Sequence, residues 1–173
     1  MAFTDILNEK MKNVRRLAIL GVGSTLRADD GAGMAIVGRL IEIFARESCP
    51  GLLFCPGETA PENFSGAIRT FRPDHILVFD AADTGKMPGE ITEIDLNKVE
   101  GPTFSSHTLP LRLMLHYLAG ETGAEITLVG IQCRNLEFDR DMTPEVKATV
   151  DSLSAILEDY IRTNWRVFCS QEV

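Results

Sequence analysis

The chain has 173 residues, 45% of them hydrophobic and 24% charged, a composition that fits one globular domain able to bury roughly 70% of the surface its unfolded form exposes. Seventeen basic against twenty-five acidic residues give a formal net charge of −8 with no basic cluster, which argues against nucleic acid or an anionic membrane as partner. No apolar run approaches the roughly 20 residues that span a bilayer, no signal peptide precedes the first predicted strand, and Cys49, Cys55, Cys133 and Cys169 show no C-x-x-C spacing, so a cytoplasmic protein with reduced thiols is expected.

Residues 1 to 14 place Phe3, Ile6, Leu7 and Met11 at helical spacing, which predicts a short N-terminal helical extension packed on the domain. A first strand follows at about 16 to 22 as an unbroken apolar run, the pattern of a strand covered on both faces of a parallel sheet. It breaks at Gly21 and Gly23, and a short loop delivers Asp29 and Asp30 to the start of an amphipathic helix with Met34, Val37, Leu40, Ile41 and Phe44 on one face. Either acid would suit the N-cap of that helix, yet a cap needs only one. The two glycines begin a G-x-G-x-x-G pattern, but Leu26 stands where the third glycine belongs and the acidic loop would repel a pyrophosphate.

A weaker strand is predicted over 51 to 55, then a helix in which Pro61 is preset for the first turn and Thr59 is a candidate cap. HILVFD, residues 75 to 80, is another unbroken strand and ends on Asp80. Residues 87 to 95 alternate and contain Pro-Gly, which suits an edge strand. TFSSHTLPLRLMLHYL predicts a helix with Pro110 in its first turn and His107 just before it. Residues 125 to 131 form the last strand, and a final helix has Thr143 as N-cap and Pro144 at its first position. Strands alternating with helices over 1–173 predict one three-layer α/β/α domain around a mostly parallel twisted sheet.

In such sheets sites lie beyond the carboxyl ends of the strands, where this chain puts Asp30, Asp80 and His107. Two carboxylates and an imidazole form an open set of donors for a divalent transition ion, with positions left for substrate or water. The positive end of a helix disfavours protonation of His107 and so keeps it able to coordinate.

The motifs GVGSTLRADDGAG, APENF, VFDAAD, SSHTLPL, VGIQ and MTPEV, spread in order over residues 16 to 161, resemble those of the hydrogenase maturation endopeptidases, which trim the C-terminal tail from the large-subunit precursor of nickel-iron hydrogenases. APEN and VGIQ look closest to the branch serving formate-hydrogenlyase-like, membrane-bound hydrogenases. The resemblance implies that Asp30, Asp80 and His107 contact nickel carried by the substrate, with another divalent transition metal able to occupy the site in vitro. It also implies that they act in cleavage through or with that ion, or in the manner of the aspartic proteases with which the family is sometimes grouped, and that residues Gly57, Glu58 and Thr59 face the substrate. The chain departs from the family pattern in reading Pro56, Gly57, Glu58 where Asp-Gly-Gly is common, and in carrying Ser24 where asparagine is common.

Other polar residues take structural readings: His75 precedes a strand and His116 lies within a helix. Ser105 and Ser106 adjoin His107 in sequence, which does not let nucleophile and base meet side chain to side chain. Three functions are carried forward: a nickel-dependent endopeptidase, a nickel-dependent chaperone or checkpoint that binds the precursor without cutting it, and a cysteine hydrolase using Cys55 and His107.

Overall fold

Strands covered on both faces need an apolar residue at nearly every position, and the unbroken runs of the sequence form the middle of one sheet. In the computed structural model, which describes residues 3–97 and 108–170, β1 (Leu17–Val22) and β3 (His75–Ala82) are buried at every residue. β5 (Glu125–Gln132) is buried beyond its first two. With β2 (Leu52–Glu58) and β4 (Ile91–Ile94) they lie in the order β2-β1-β3-β5-β4. β1 pairs in parallel with β2 and β3, and β3 with β5, while β4 runs antiparallel along the β5 edge.

Successive side chains point to opposite faces of a strand, and each face has its own cover. Leu17, Ile19, Leu77, Phe79, Val129 and Ile131 pack under α1 (Phe3–Lys10), α2 (Ala32–Ile43) and α5 (Pro144–Thr163). Ala18, Leu20, Val22, Ile76, Val78 and Leu128 pack under α3 (Ser65–Phe71) and α4 (Thr108–Thr122). The three layers and mostly parallel sheet expected from the sequence are therefore present. None of the described helices is long and apolar enough to cross a membrane.

Two boundaries differ from expectation for physical reasons. β2 continues through Pro56 to Glu58 as the edge strand beside β1 among the described residues, and an edge strand tolerates a residue without an N–H. Pro61 does open a helical turn, Pro61–Phe64, but Ala60 precedes it and no side chain caps it, so Thr59 is not its cap.

A short α6 (Trp165–Cys169) ends the described chain. Cys169 is disulfide-bonded to Cys49, 120 residues away, tying α6 to the loop before β2 while Trp165 stacks on Phe44. The cysteine spacing that pointed to reduced thiols does not anticipate this pairing. Cys55 and Cys133 remain free.

The strand order reverses between β1 and β3: the chain leaves β1 for β2 on one side and leaves β3 for β5 and β4 on the other. A crevice opens at such a switch point beyond the carboxyl ends of the two strands.

Candidate active site

Asp30 and Asp80 both stand at this switch point. Asp80 belongs to β3 and is wholly buried, and among the described residues neither of its carboxylate oxygens has a hydrogen-bond partner. Burial pushes its carboxyl up to about 7, the negative charge of Asp30 adds to the rise, and the Ala81 amide opposes it. Asp30 lies in the turn Ala28–Gly31 that joins the β1 loop to α2, is 4% exposed, and accepts a hydrogen bond of 2.9 Å from the Ser24 amide. That bond comes from the backbone, so serine in place of asparagine at position 24 leaves the anchoring of Asp30 intact.

Two glycines make this approach of the acids possible. Gly23 adopts φ 118 and a side chain there would collide with the Asp30 carbonyl, so the β1 loop can fold tightly around Asp30 only with glycine at this position. In the first turn of α2, a methyl group on Gly33 would strike the carbonyl oxygens of Phe79 and Val22. α2, which follows the Asp30 turn directly, therefore sits on the strand carrying Asp80. Leu26, which breaks the G-x-G-x-x-G pattern, faces solvent and has no part in that close packing.

Neither acid caps α2. Gly31 precedes the helix and no side-chain cap is formed. Asp29, wholly buried, reaches instead across the fold: its carboxylate accepts hydrogen bonds from the amides of Arg134 at 2.8 Å, Asn135 at 2.9 Å and Thr143 at 2.7 Å, and from the Thr143 hydroxyl at 2.9 Å. Thr143 does occupy the N-cap position of α5, yet its hydroxyl serves Asp29 and makes no capping bond. One of the two adjacent acids thus fixes the β5 loop while the other faces Asp80.

Gln132, at the end of β5, was not singled out by sequence reasoning although VGIQ contains it. Its side-chain oxygen accepts bonds from the Thr84 amide and hydroxyl and the Lys86 amide, and its side-chain nitrogen donates to Asp83 and to the Cys133 carbonyl. It holds the loop that leaves β3 just beyond Asp80.

The segment expected to face the substrate is mixed in character. Gly57 is buried, with a side chain there excluded by the Gly21 carbonyl, Leu20 and Pro61, so it is a packing position, while Glu58 and Thr59 are exposed. The Glu58 carbonyl accepts a bond of 2.9 Å from Gly23, which couples this segment to the Asp30 loop. Glu58 adopts φ 51, the left-handed region that costs a non-glycine residue about 1–2 kcal/mol. It stands where the family pattern has glycine. Glu58→Gly is expected to change unfolding free energy by between zero and about 1 kcal/mol in the stabilising direction, since relief of strain is partly offset by the larger unfolded-state freedom of glycine. Urea unfolding checks this, and a loss of stability would show that the Glu58 side chain is needed for the fold.

His107 lies outside the described residues. α4, which begins at the next residue, packs on the Pro61–Phe64 turn beyond the carboxyl end of β2 and runs down into β5, so its start belongs to the same end of the sheet. Pro110 falls in its first turn, as expected. Among the described residues no three His, Cys, Asp or Glu side chains form a metal site. Asp30 and Asp80 are two of the three expected donors. His75 is buried, bonded through Nε2 to Thr127 at 3.0 Å, and burial lowers its pKa to about 4, a neutral structural histidine. His116 is exposed on α4 and meets the Leu96 carbonyl. Cys55 is wholly buried and its thiol is pushed up to about 12 by desolvation, which leaves no thiolate for a hydrolase.

Residues 39–159 match the family model described as HycI, hydrogenase maturation protease. The hydrogenase 3 maturation protease of Escherichia coli K12 is 34% identical over 143 residues, 82% of this chain and 88% of that protein. The crystal structure of the [NiFe] hydrogenase maturation protease HycI from Thermococcus kodakarensis superposes with TM-score 0.82 at 28% identity, covering 91% of this chain and 99% of the other. The hydrogenase maturating endopeptidase HybD from E. coli does so with TM-score 0.67 at 27% identity, covering 86% and 93%. With the family match spanning well over half of the chain and the fold shared along nearly all of it, this protein belongs to the hydrogenase maturation protease family.

Proposed function

We propose that the protein is a cytoplasmic endopeptidase that removes the C-terminal tail of a nickel-iron hydrogenase large-subunit precursor once nickel has been inserted, and that the nickel arrives with the substrate. The observation that supports this most is the Asp80 carboxylate, buried and unpartnered among the described residues beside Asp30. Burying an unpaired acid next to another acid is costly in an empty site. A divalent cation presented by the substrate would reverse that penalty by bridging two groups that otherwise repel.

The raised pKa of Asp80 belongs to the ion-free site, and an ion held there would keep the carboxylate ionised. Asp80 would then serve as general base, taking the proton of the attacking water and returning it to the leaving amine. Asp30, anchored by the Ser24 amide, would hold its place as the second donor. By the family resemblance His107 adds a nitrogen donor, and another divalent transition ion would suit the same mixed set in vitro. The partner is the precursor, with no role for nucleic acid or membrane insertion.

Intact mass of purified precursor tests the reading. Nickel-loaded precursor should lose its tail, and metal-free precursor should not. Asp30→Asn and His107→Ala should each slow processing on the order of 100-fold or more, because weaker hold on the ion also misplaces the scissile bond, while His116→Ala processes normally. The free protein should bind nickel weakly, since three donors leave the site incomplete. Stable binding of loaded precursor without a mass change would make the protein a checkpoint chaperone, and undiminished cleavage by Asp30→Asn would remove Asp30 from the mechanism.

A further inference from the structure

The chain leaves β3 after Ala82 and re-enters the sheet only at β4, and this connection, residues 83–90, borders the crevice beyond the carboxyl end of the strand that carries Asp80. Gln132 holds it at both ends. The residue is 6% exposed and lies beside Ala82 in the β3–β5 ladder. Its Oε1 accepts bonds from the Thr84 amide at 2.7 Å, the Thr84 hydroxyl at 2.9 Å and the Lys86 amide at 3.2 Å, while Nε2 donates to the Cys133 carbonyl at 2.9 Å and to Asp83 Oδ1 at 3.3 Å. Its main chain takes the far end: the Gln132 amide donates to the Glu90 carbonyl at 2.8 Å, and the Gly89 amide donates to the Gln132 carbonyl at 2.9 Å. Burial raises the pKa of the neighbouring Cys133, and the charges of Asp83, Asp29 and Asp30 add to the rise, so the start of the connection and the Asp30 turn lie at the same end of the sheet. Only an uncharged group with an acceptor at one end and a donor at the other meets these demands. A carboxylate would face Asp83 with a like charge, and a cationic side chain could not accept from Thr84 and Lys86.

We infer that Gln132 is a positioning residue of the cleavage reaction: by bonding Thr84 and Lys86 with one end of its amide and Asp83 with the other, it fixes the chain just beyond Asp80 and thereby the place of the Asp80 carboxylate in the crevice. This rests on the functional reading above, in which Asp80 moves the proton. The β3–β5 ladder stops at Ala82, two residues past Asp80, and the ends of such elements are where local opening begins. Among the described residues the Asp80 carboxylate has no hydrogen-bond partner of its own, so where it points is set by its strand and by the chain that follows. Asp83 enters as the group that is held. Its Oδ1 also accepts a bond of 3.3 Å from the Gly85 amide, closing the turn with which the connection starts.

A reversal of the hydrogen bond between Gln132 and Asp83 tests this. Gln132→Glu keeps the acceptor, loses the donor and sets a second negative charge against Asp83. With nickel-loaded precursor its kcat should fall roughly 10- to 100-fold while KM stays within about threefold of wild type, the signature of a misplaced reacting group. Asp83→Asn alone should process within about twofold of wild type, because asparagine still offers an oxygen to Gln132 Nε2. Gln132→Glu/Asp83→Asn should recover most of the lost kcat, since the new amide can donate to the new carboxylate. Hydrogen exchange reads the same hold without catalysis: the Thr84 and Lys86 amides should be protected in wild type, lose protection in Gln132→Glu and regain it in the double variant, with the Ser24 amide on Asp30 protected throughout. Circular dichroism confirms that the variants are folded. If wild type cleaves and folded Gln132→Glu keeps its kcat, Gln132 is structural only, and the inference is overturned while the protease reading stands. If Asp83→Asn alone slows cleavage as much as Gln132→Glu, or the double variant recovers nothing, the bond between the two side chains is not what matters and the inference is again overturned. If wild type does not cleave the loaded precursor, the functional reading falls and takes the part of Gln132 in it as well.

Discussion

Asp80→Asn is expected to make the protein more stable at pH 8 while abolishing processing of nickel-loaded precursor. The carboxyl titrates at about 7 in the fold against an ordinary value of 3.8. A raised acid costs the fold nothing below its unfolded value, and the cost grows as pH rises from the unfolded to the folded value and is complete above it. At about 1.4 kcal/mol per unit, the penalty above pH 7 is on the order of 4 kcal/mol. Asparagine removes the charge but leaves an amide without partners, itself costing about 1–3 kcal/mol. A net gain of roughly 1–3 kcal/mol at pH 8 should therefore shrink to nothing or reverse by pH 4. His75 titrates over an overlapping range with the opposite sign: its folded value of about 4 lies below the ordinary 6.5, so the stability it contributes is lost as pH falls through that interval. The difference between wild type and variant in denaturant unfolding cancels the histidine and isolates Asp80. A pH-independent difference would show that Asp80 does not carry the raised value.

Asp29→Ala is expected to be the most destabilising single change in the site region, by about 3–5 kcal/mol, because it leaves four donors of the β5 loop and the α5 start without their acceptor. In a domain of this size that lowers the melting temperature by roughly 10–15 °C. Asp29→Asn retains one acceptor oxygen and should fall between alanine and wild type. Thermal unfolding followed by circular dichroism measures both, and a loss under about 1 kcal/mol for alanine would mean that backbone and solvent replace the carboxylate without difficulty. The contrast with Asp30→Asn is diagnostic: neighbouring acids should separate cleanly, one change acting on stability and the other on cleavage.

The sheet was legible because its central strands are covered on both faces and so cannot hide their apolar runs. Asp30 and Asp80 could be placed at one end of it for the same reason: each follows such a run, and parallel strands put their carboxyl ends together. The role of Asp29 was not legible. Its partners are more than 100 residues away, and local capping, the nearest use for an aspartate before a helix, was the competing reading that lost. Thr143 repeats the lesson in reverse, since its position was readable from Pro144 while the direction of its hydroxyl depends on Asp29. The Cys49–Cys169 pair likewise depends on α6 returning to the start of β2, which no spacing records.

The two glycines that hold the Asp30 turn and the helix after it against the Asp80 strand act like the gauge of a calliper. What they set is a gap, and they set it by atoms that are missing. Any side chain at position 33 would act as a wedge, lifting α2 from Phe79 and Val22 and widening the jaws without altering either acid. Such a protein would keep both acids and still hold them at the wrong separation, so the tolerance of this site to change is decided as much at Gly33 as at the carboxylates themselves.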